Sequence, residues 1–271
     1  MVFRMCSIGG KAYRGDRVSL EDAEEKSLPV KSASVLEQSL SQIVEVDIWA
    51  ARGHASGSSR SLEGDDKKIS SSNETERFTD PDLLEDIQVA AKSGAESDPS
   101  SHTYRLNAFF TVLSLCHTVL ASKDLISGKI EYKAQSPDEA ALVQAAADMG
   151  FVFLGKDKEI LSLRTPKSED VERYELLDIL EFTSARKRMS VVLRRVDVES
   201  SDILLLTKGA DNVIFERLRP GQDQLKRETE SHLNEFASTG LRTLTLGYRT
   251  ISGVSAPSRK RSRDLNFAPY S

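Results

Sequence analysis

The residues of this 271-residue chain best suited to chemistry lie at 180–194, in the sequence LEFTSARKRMSVVLR. Phe182 ends an apolar run, a short polar turn follows, and then come three cations, Arg186, Lys187 and Arg188. An aromatic ring beside cations at a strand edge can stack on a flat base and attract a phosphate tail. A core phenylalanine followed by a solvated hairpin turn has the same pattern, and spacing alone leaves both interpretations open.

Glu139 is a second candidate, because it stands in the sequence Ser136-Pro137-Asp138-Glu139 at the start of a predicted helix. A serine at the N-cap with a glutamate three residues later forms a capping box, in which the glutamate binds the backbone N–H of the serine. Alternatively, the carboxylate accepts a hydrogen bond from an exocyclic amine such as that of adenine. The spacing by itself favours the capping role.

Lys208 directly precedes a glycine at the end of a predicted strand, and Arg242 lies two residues after Gly240 at the start of another. Lys208 precedes Gly209 after an apolar run, so its ammonium would point into a cleft beside the start of the next helix. Arg242 and Thr243 open a strand, where a guanidinium group can clamp a phosphate. Ordinary alternatives remain, since glycine is common in such turns and a surface arginine pairs with any carboxylate for little gain.

The composition favours a soluble globular protein that binds neither nucleic acid nor an anionic membrane. Its residues are 39% hydrophobic and 29% charged, and its net charge is −5, whereas those partners favour a basic surface. Cys6 and Cys116 are too few for a disulfide framework, and no Cys/His spacing resembles a metal site. The most apolar window, 106–121, is shorter than the roughly 20 residues that cross a bilayer. With no signal peptide, the expected surroundings are aqueous and reducing.

Changes in composition divide the chain into four predicted segments. Residues 1–51 contain an opening strand and a charged connector. Residues 52–101 are rich in Ser, Gly and charged side chains and are expected to form a disordered insertion with one short helix at 81–92, capped by Asp80. Residues 102–249 have the length of one domain. Residues 250–271 form an irregular tail, in which the run RKRSR is either a nuclear-import signal or a solvated terminus.

The fold predicted for the main segment is α+β, with an antiparallel sheet flanked by helices. Helices are predicted at 104–120, 138–149, 211–217 and 224–238, and strands at 129–133, 151–154, 174–182, 189–193, 203–208 and 242–248. The first of these helices is expected to be amphipathic, because its apolar residues recur on one face. The short loop between the strands at 174–182 and 189–193 suits an antiparallel hairpin. Such hairpins favour this arrangement over a doubly wound parallel sheet.

Five blocks of the sequence together resemble the nucleotide-binding domain of type-IV P-type ATPases, the phospholipid flippases. They are CHTV (116–119), YKAQSPDEAALVQAAADMGFVF (132–153), LEFTSARKRMSVVLR (180–194), KGADNVIFERL (208–218) and HLNEFASTGLRTL (232–244). Their order and spacing are similar to those of the family over nearly all of 103–249. The opening MVFRMCSIGGKAYRGD also resembles the stretch that follows the phosphorylation loop of the family.

The resemblance implies a cytosolic domain that binds ATP and presents it to a phosphorylatable aspartate on a neighbouring domain. In the family, the counterpart of Phe182 stacks on adenine and that of Glu139 lies at the edge of the base. Lys208 would line the floor of the adenine pocket, with Ser184 and Lys187 at its rim. The capping role of Glu139 is compatible with this assignment.

Two further residues, Arg242 and Thr243, would by the same resemblance face the ribose and phosphates. The DKTGT, TGE and GDGxND motifs of the family do not occur in this sequence, nor do its membrane helices. The resemblance therefore implies a fragment with no catalytic or metal-binding residue of its own, whose parent supplies the Mg²⁺ ligands and the aspartate.

By that resemblance, the partners are ATP and the phosphorylation and membrane domains of a parent enzyme at the cytosolic face of a membrane. The segment itself would be soluble, would not insert into the membrane, and would bind ATP without hydrolysing it. The alternative is a non-catalytic interaction module with a vestigial nucleotide pocket. In that case the Ser-rich insertion would be a docking segment controlled by phosphorylation.

Overall fold

A computed structural model describes residues 2–15, 45–52, 78–93, 98–124, 128–199 and 202–252. Its elements, in chain order, are β1 (Val2–Ile8), β2 (Lys11–Tyr13), β3 (Glu45–Arg52), α1 (Pro81–Lys92), α2 (His102–Leu115), β4 (Leu120–Lys123), β5 (Ile130–Lys133), α3 (Pro137–Asp148), β6 (Val152–Asp157), β7 (Ile160–Arg164), β8 (Val171–Leu180), β9 (Arg188–Arg195), β10 (Ile203–Gly209), α4 (Asp211–Phe215), α5 (Asp223–Ser238) and β11 (Arg242–Ile251). Among the described helices, none has the length and apolar run that crossing a bilayer requires.

Nine of the described strands form one sheet in the order β2-β1-β3-β11-β10-β9-β8-β7-β6, and β4 pairs with β5 separately. Every neighbouring pair is antiparallel. The predicted α+β class with an antiparallel sheet is therefore confirmed. The hairpin of β8 and β9 is confirmed as well, with Leu180 opposite Ser190 at its closed end.

The N-terminal strands belong to this same sheet. β3 lies between β1 and β11, and its partner residues on β11 are about 190 positions away along the chain, as in the pair Ala51 and Arg242. The sequence pattern, by contrast, groups residues 1–51 as a strand and connector ahead of the main domain. The domain boundaries stay predictions, because the expected connector at 16–44 and most of the expected tail, 253–271, lie outside the described residues.

Helix α1 lies within the stretch that the composition predicts to be a disordered insertion. The predicted helix and its cap are confirmed: Pro81 is at the first position and the Asp80 carboxylate accepts from the Leu83 N–H at 3.0 Å. Leu83, Ile87 and Ala90 are buried in the main core, since α1 packs against α2. This part of the stretch is thus folded, and residues 53–77 and 94–97 lie outside the described residues.

Helix α2 is buried nearly all round, whereas its periodicity predicts burial on one face only. Its buried side chains include Phe109, Phe110, Val112 and Leu113, because the helix packs against α1 and α3 as well as against the sheet. It also ends at Leu115, five residues before the predicted end, and β4 begins soon after. A helix that is buried on more than one side does not follow the one-sided pattern of an amphipathic helix. Periodicity alone therefore predicted too little burial for α2.

The burial of α1 predicts a large effect for Leu83→Ala. Leu83 is 0% exposed, so the truncation should lower the free energy of unfolding by about 2–5 kcal/mol. Val89→Ala changes the outer side of the same helix, where the side chain is 56% exposed, and should cost less than about 0.5 kcal/mol. Urea denaturation followed by circular dichroism measures both values. Equally small effects would contradict the packing of α1 on the core.

Candidate functional site

Six of the seven site residues predicted from the sequence line one cleft of about 750 Å³. The cleft lies where β8 and β10 end and β9 and β11 begin, and the start of α3 forms its opposite wall. The six residues are Glu139, Phe182, Lys187, Lys208, Arg242 and Thr243. Ser184 is different: it is exposed in the turn after β8 and does not line the cleft.

The turn between β8 and β9 holds Phe182 at the opening of the cleft. The backbone N–H of Lys187 donates to the Thr183 carbonyl at 2.7 Å, and that of Arg186 donates to the Thr183 hydroxyl at 3.2 Å. The Arg186 guanidinium also donates to the carbonyl of Glu181 at 2.8 Å. Phe182 precedes this closed turn and is 62% exposed, so its ring is available for stacking.

Gly209 allows this turn to lie directly against the end of β10. A Cβ atom on Gly209 would come within 2.6 Å of both the Arg188 Cβ and the Lys187 carbonyl oxygen. The backbone N–H of Ala210 donates to that same carbonyl at 3.0 Å. Lys187 itself has a φ of 52°, a left-handed conformation that a lysine rarely adopts. The close approach therefore requires a glycine after Lys208.

Lys208 and Glu139 form an ion pair in the inner part of the cleft. The Lys208 Nζ donates to the Glu139 Oε1 at 2.7 Å, and the two side chains are only 10% and 16% exposed. Burial acts to raise the pKa of Glu139, but the Lys208 ammonium and hydrogen bonds from Lys208 and Thr118 outweigh it and lower that pKa below its usual value. At neutral pH the carboxylate is ionised and acts only as an acceptor.

The capping box predicted at the start of α3 does not form. Ser136 occupies the N-cap and Pro137 follows, but Ser136 makes no capping hydrogen bond through its side chain. The Glu139 carboxylate instead accepts from the Thr118 hydroxyl at 2.8 Å and from Lys208. A partly buried carboxylate gains more from an ammonium than from a backbone N–H, because the charge-assisted bond is the stronger one. The prediction that Glu139 forms a capping box with Ser136 was therefore wrong.

The turn at 116–119 carries Thr118 from the end of α2 to the cleft wall. It is held by His117, whose buried ring lies between the Ser114 carbonyl, 2.7 Å from Nε2, and the Val119 N–H, which donates to Nδ1 at 3.1 Å. Both bonds require a neutral ring with its proton on Nε2. Burial lowers the pKa of His117 to about 4, so the ring is neutral near pH 7.

Arg242 and Asp138 form a second ion pair at the more exposed side of the cleft. Their closest atoms are 2.7 Å apart, and the Arg242 side chain is 70% exposed. The other carboxylate oxygen of Asp138, Oδ1, is buried and has no hydrogen-bond partner among the described residues. An exposed ion pair contributes little, so the guanidinium group can exchange this carboxylate for a ligand anion.

Thr118 and Asp138 are cleft residues that sequence reasoning did not select. Asp138 stands next to Glu139, but nothing in the spacing favours it over other helix-start carboxylates. Thr118 is 21 positions from Glu139, and no periodicity joins the two. Its only signal is its place in the CHTV block.

Cys6 and Cys116 are buried free thiols, as expected, and in the described ranges no three His, Cys, Asp or Glu side chains lie together as a metal site requires.

Residues 105–268 match the family model described as "P-type ATPase, cytoplasmic domain N", and the match runs past residue 249, the predicted end of the main domain. The chain is 47% identical over 150 residues, 54% of its length, to phospholipid-transporting ATPase 10 of Arabidopsis thaliana. It is 36% identical over 255 residues, 93% of its length, to probable phospholipid-transporting ATPase 12 of the same plant. Human phospholipid-transporting ATPase ID is 43% identical over 180 residues, 64% of this chain. The chain spans 12%, 19% and 13% of the lengths of these relatives, respectively.

The neutral ring of His117 predicts an unusual titration. Its ring proton signals in NMR should not shift between about pH 8 and about pH 5, whereas an unperturbed histidine titrates near 6.5. Because the folded pKa is the lower one, the unfolded chain binds the proton first. The stability that this group contributes is therefore present above about pH 6.5 and falls by about 1.4 kcal/mol per unit as the pH drops towards 4. A midpoint near 6.5 for the folded chain would contradict the two hydrogen bonds assigned to the ring.

Proposed function

Since this chain belongs to the P-type ATPase family and contains its cytoplasmic domain N, we propose that the cleft beside Phe182 is an ATP site. In this proposal the adenine ring stacks on Phe182, and Lys208 and Glu139 meet the edge of the base. The observation that supports it most is the solvent-exposed aromatic ring of Phe182 at a cleft whose inner wall contains a buried ammonium and carboxylate. A volume of about 750 Å³ lies within the usual range of small-molecule sites.

The phosphates would lie towards the exposed side of the cleft. Arg242 is the best placed group there, because its planar guanidinium can take two phosphate oxygens in place of Asp138. Lys187 at the opposite rim would add a point charge, and Thr243 a hydroxyl. Ser184 is exposed in the same turn and does not line the cleft. It would therefore contact only the part of a bound nucleotide that extends out of the cleft.

The charge of the cleft suggests weak binding. Its lining contains three cations and three carboxylates, so no strong positive field attracts the triphosphate; they are Lys187, Lys208, Arg242, Asp138, Glu139 and Glu181. Stacking of about 2 kcal/mol and two charge-assisted contacts of about 1–1.5 kcal/mol each give about 4–5 kcal/mol. This corresponds to a Kd between about 1 mM and a few hundred micromolar. Such a weak affinity suits a domain that must release its nucleotide in every cycle.

For the whole protein, we extend the proposal to phospholipid transport, which the names of the relatives state. The domain would present ATP, with its Mg²⁺, to an aspartate on a separate phosphorylation domain. Attack of that carboxylate on the γ-phosphorus would form an aspartyl phosphate and release ADP. The cycle of phosphorylation and hydrolysis would then move a phospholipid between leaflets. By itself, the present chain would bind ATP and leave it intact.

Removal of the Phe182 ring tests the site directly. Phe182→Ala should weaken ATP binding by about 5-fold to 150-fold, the equivalent of about 1–3 kcal/mol of stacking. The fold should be retained, because the ring is mostly exposed. Leu180→Ala is the matched control, since Leu180 is another exposed apolar residue at the end of β8 but does not line the cleft. Titration with ATP, followed by NMR shifts and calorimetry, gives the three affinities. Equal affinities in the parent chain and both variants would exclude stacking at Phe182.

A further inference from the structure

We propose that Thr118 is a positioning residue that makes the cleft select the 6-amino group of adenine, through its hold on the Glu139 carboxylate. This role rests on the proposed ATP site. Apart from its place in the CHTV block, nothing in the sequence points to Thr118, and its connection to the cleft comes only from the fold. Its hydroxyl belongs to a chain of three side chains that ends at Lys208.

The hydrogen bonds of Glu139 leave little of its carboxylate unused. Oε2 accepts from the Thr118 hydroxyl at 2.8 Å and, over a longer 3.4 Å, from the Thr118 N–H, while Oε1 accepts from Lys208. An ionised carboxylate offers about four acceptor positions. After these three bonds, one position remains on Oε1, next to the Lys208 ammonium. The pair therefore presents one acceptor and one cationic donor side by side.

That arrangement matches the edge of adenine. Its 6-amino group donates to a carboxylate, and the neighbouring ring nitrogen accepts from an ammonium. A purine that lacks the amino group keeps the ring nitrogen and the stacking face but has nothing to donate to Glu139. Discrimination between the two bases then depends on whether the free acceptor of Glu139 points at the base.

Thr118 decides where that acceptor points. The hydroxyl bond is the shorter of the two contacts to Oε2, and without it only the long contact from the Thr118 N–H would hold this oxygen. The carboxylate could then rotate to bring both oxygens towards Lys208, so that its free acceptor would no longer point at the base. Thr118 itself is held on the cleft wall by the bonds of His117 to Ser114 and Val119.

A nucleotide comparison separates this role from a general structural one. ATP and purine riboside 5′-triphosphate, which lacks the 6-amino group, are titrated into the full chain and into Thr118→Val and Thr118→Ser. The parent chain should prefer ATP by about 10-fold, the value of one hydrogen bond to a charged group. Thr118→Val should reduce this preference to less than about 2-fold through weaker ATP binding alone. Thr118→Ser keeps the hydroxyl and should keep the preference.

The other outcomes are distinct. An equal loss of affinity for both nucleotides in Thr118→Val, or no change for either, would overturn the positioning role and leave the ATP site standing. A parent chain that binds neither nucleotide would overturn the ATP site, and the role of Thr118 with it.

A measurement without nucleotide adds a second check: the NMR titration of the Glu139 carboxyl should show a higher pKa in Thr118→Val than in the parent chain or Thr118→Ser, because one bond to the ionised form is lost. An unchanged pKa would count against the role.

Discussion

The buried ammonium of Lys208 at the end of β10 is the constraint on which the site depends. A charge in that position requires an opposite charge beside it, because an unpaired buried ion costs about 3–5 kcal/mol. Glu139 supplies that charge from the first turn of α3, so the pair fixes the distance between this helix and the sheet. Thr118 adds a third element, since it reaches the same carboxylate from the turn after α2. One helix, one strand and the turn after α2 thus meet at one carboxylate.

Such a pair orients groups more than it stabilises the fold. The desolvation of both ions offsets most of their attraction, and apolar residues would fill the same space at a similar or lower free energy. What an apolar substitute lacks is a directed acceptor and donor that face a cleft. Gly209 has a comparable role: it contributes no side-chain contact, but its missing Cβ lets the turn after β8 approach β10. The cleft therefore explains the ion pair and Gly209, and packing of the hydrophobic core does not.

Local signals in the sequence predicted much of the fold and less of the site. The cap of α1 at Asp80 and the β8–β9 hairpin are set by neighbouring residues, so they are readable without the structure. β3 is different, because its partners β1 and β11 are remote and pairing over such distances leaves no local pattern. The capping box failed for a related reason: Glu139 has a stronger partner, Lys208, that lies 69 positions away. The link from Thr118 to that carboxylate is equally a product of tertiary packing.

The two sides of the cleft differ in exposure, and this difference bears on how the proposed ATP site would combine selectivity with weak binding. Lys208 and Glu139 are held by their ion pair, and the turn at 116–119 is held by the bonds of His117, before any ligand arrives. In the proposed site the edge of the base would therefore be read at little conformational cost. Phe182 and Arg242 are largely exposed and must each lose rotamer freedom on contact, at roughly 0.5–1.5 kcal/mol per side chain. In the proposed ATP site, the ordered wall would therefore set the selectivity, while the exposed side would limit the affinity. A nucleotide can be recognised in this way without being held tightly.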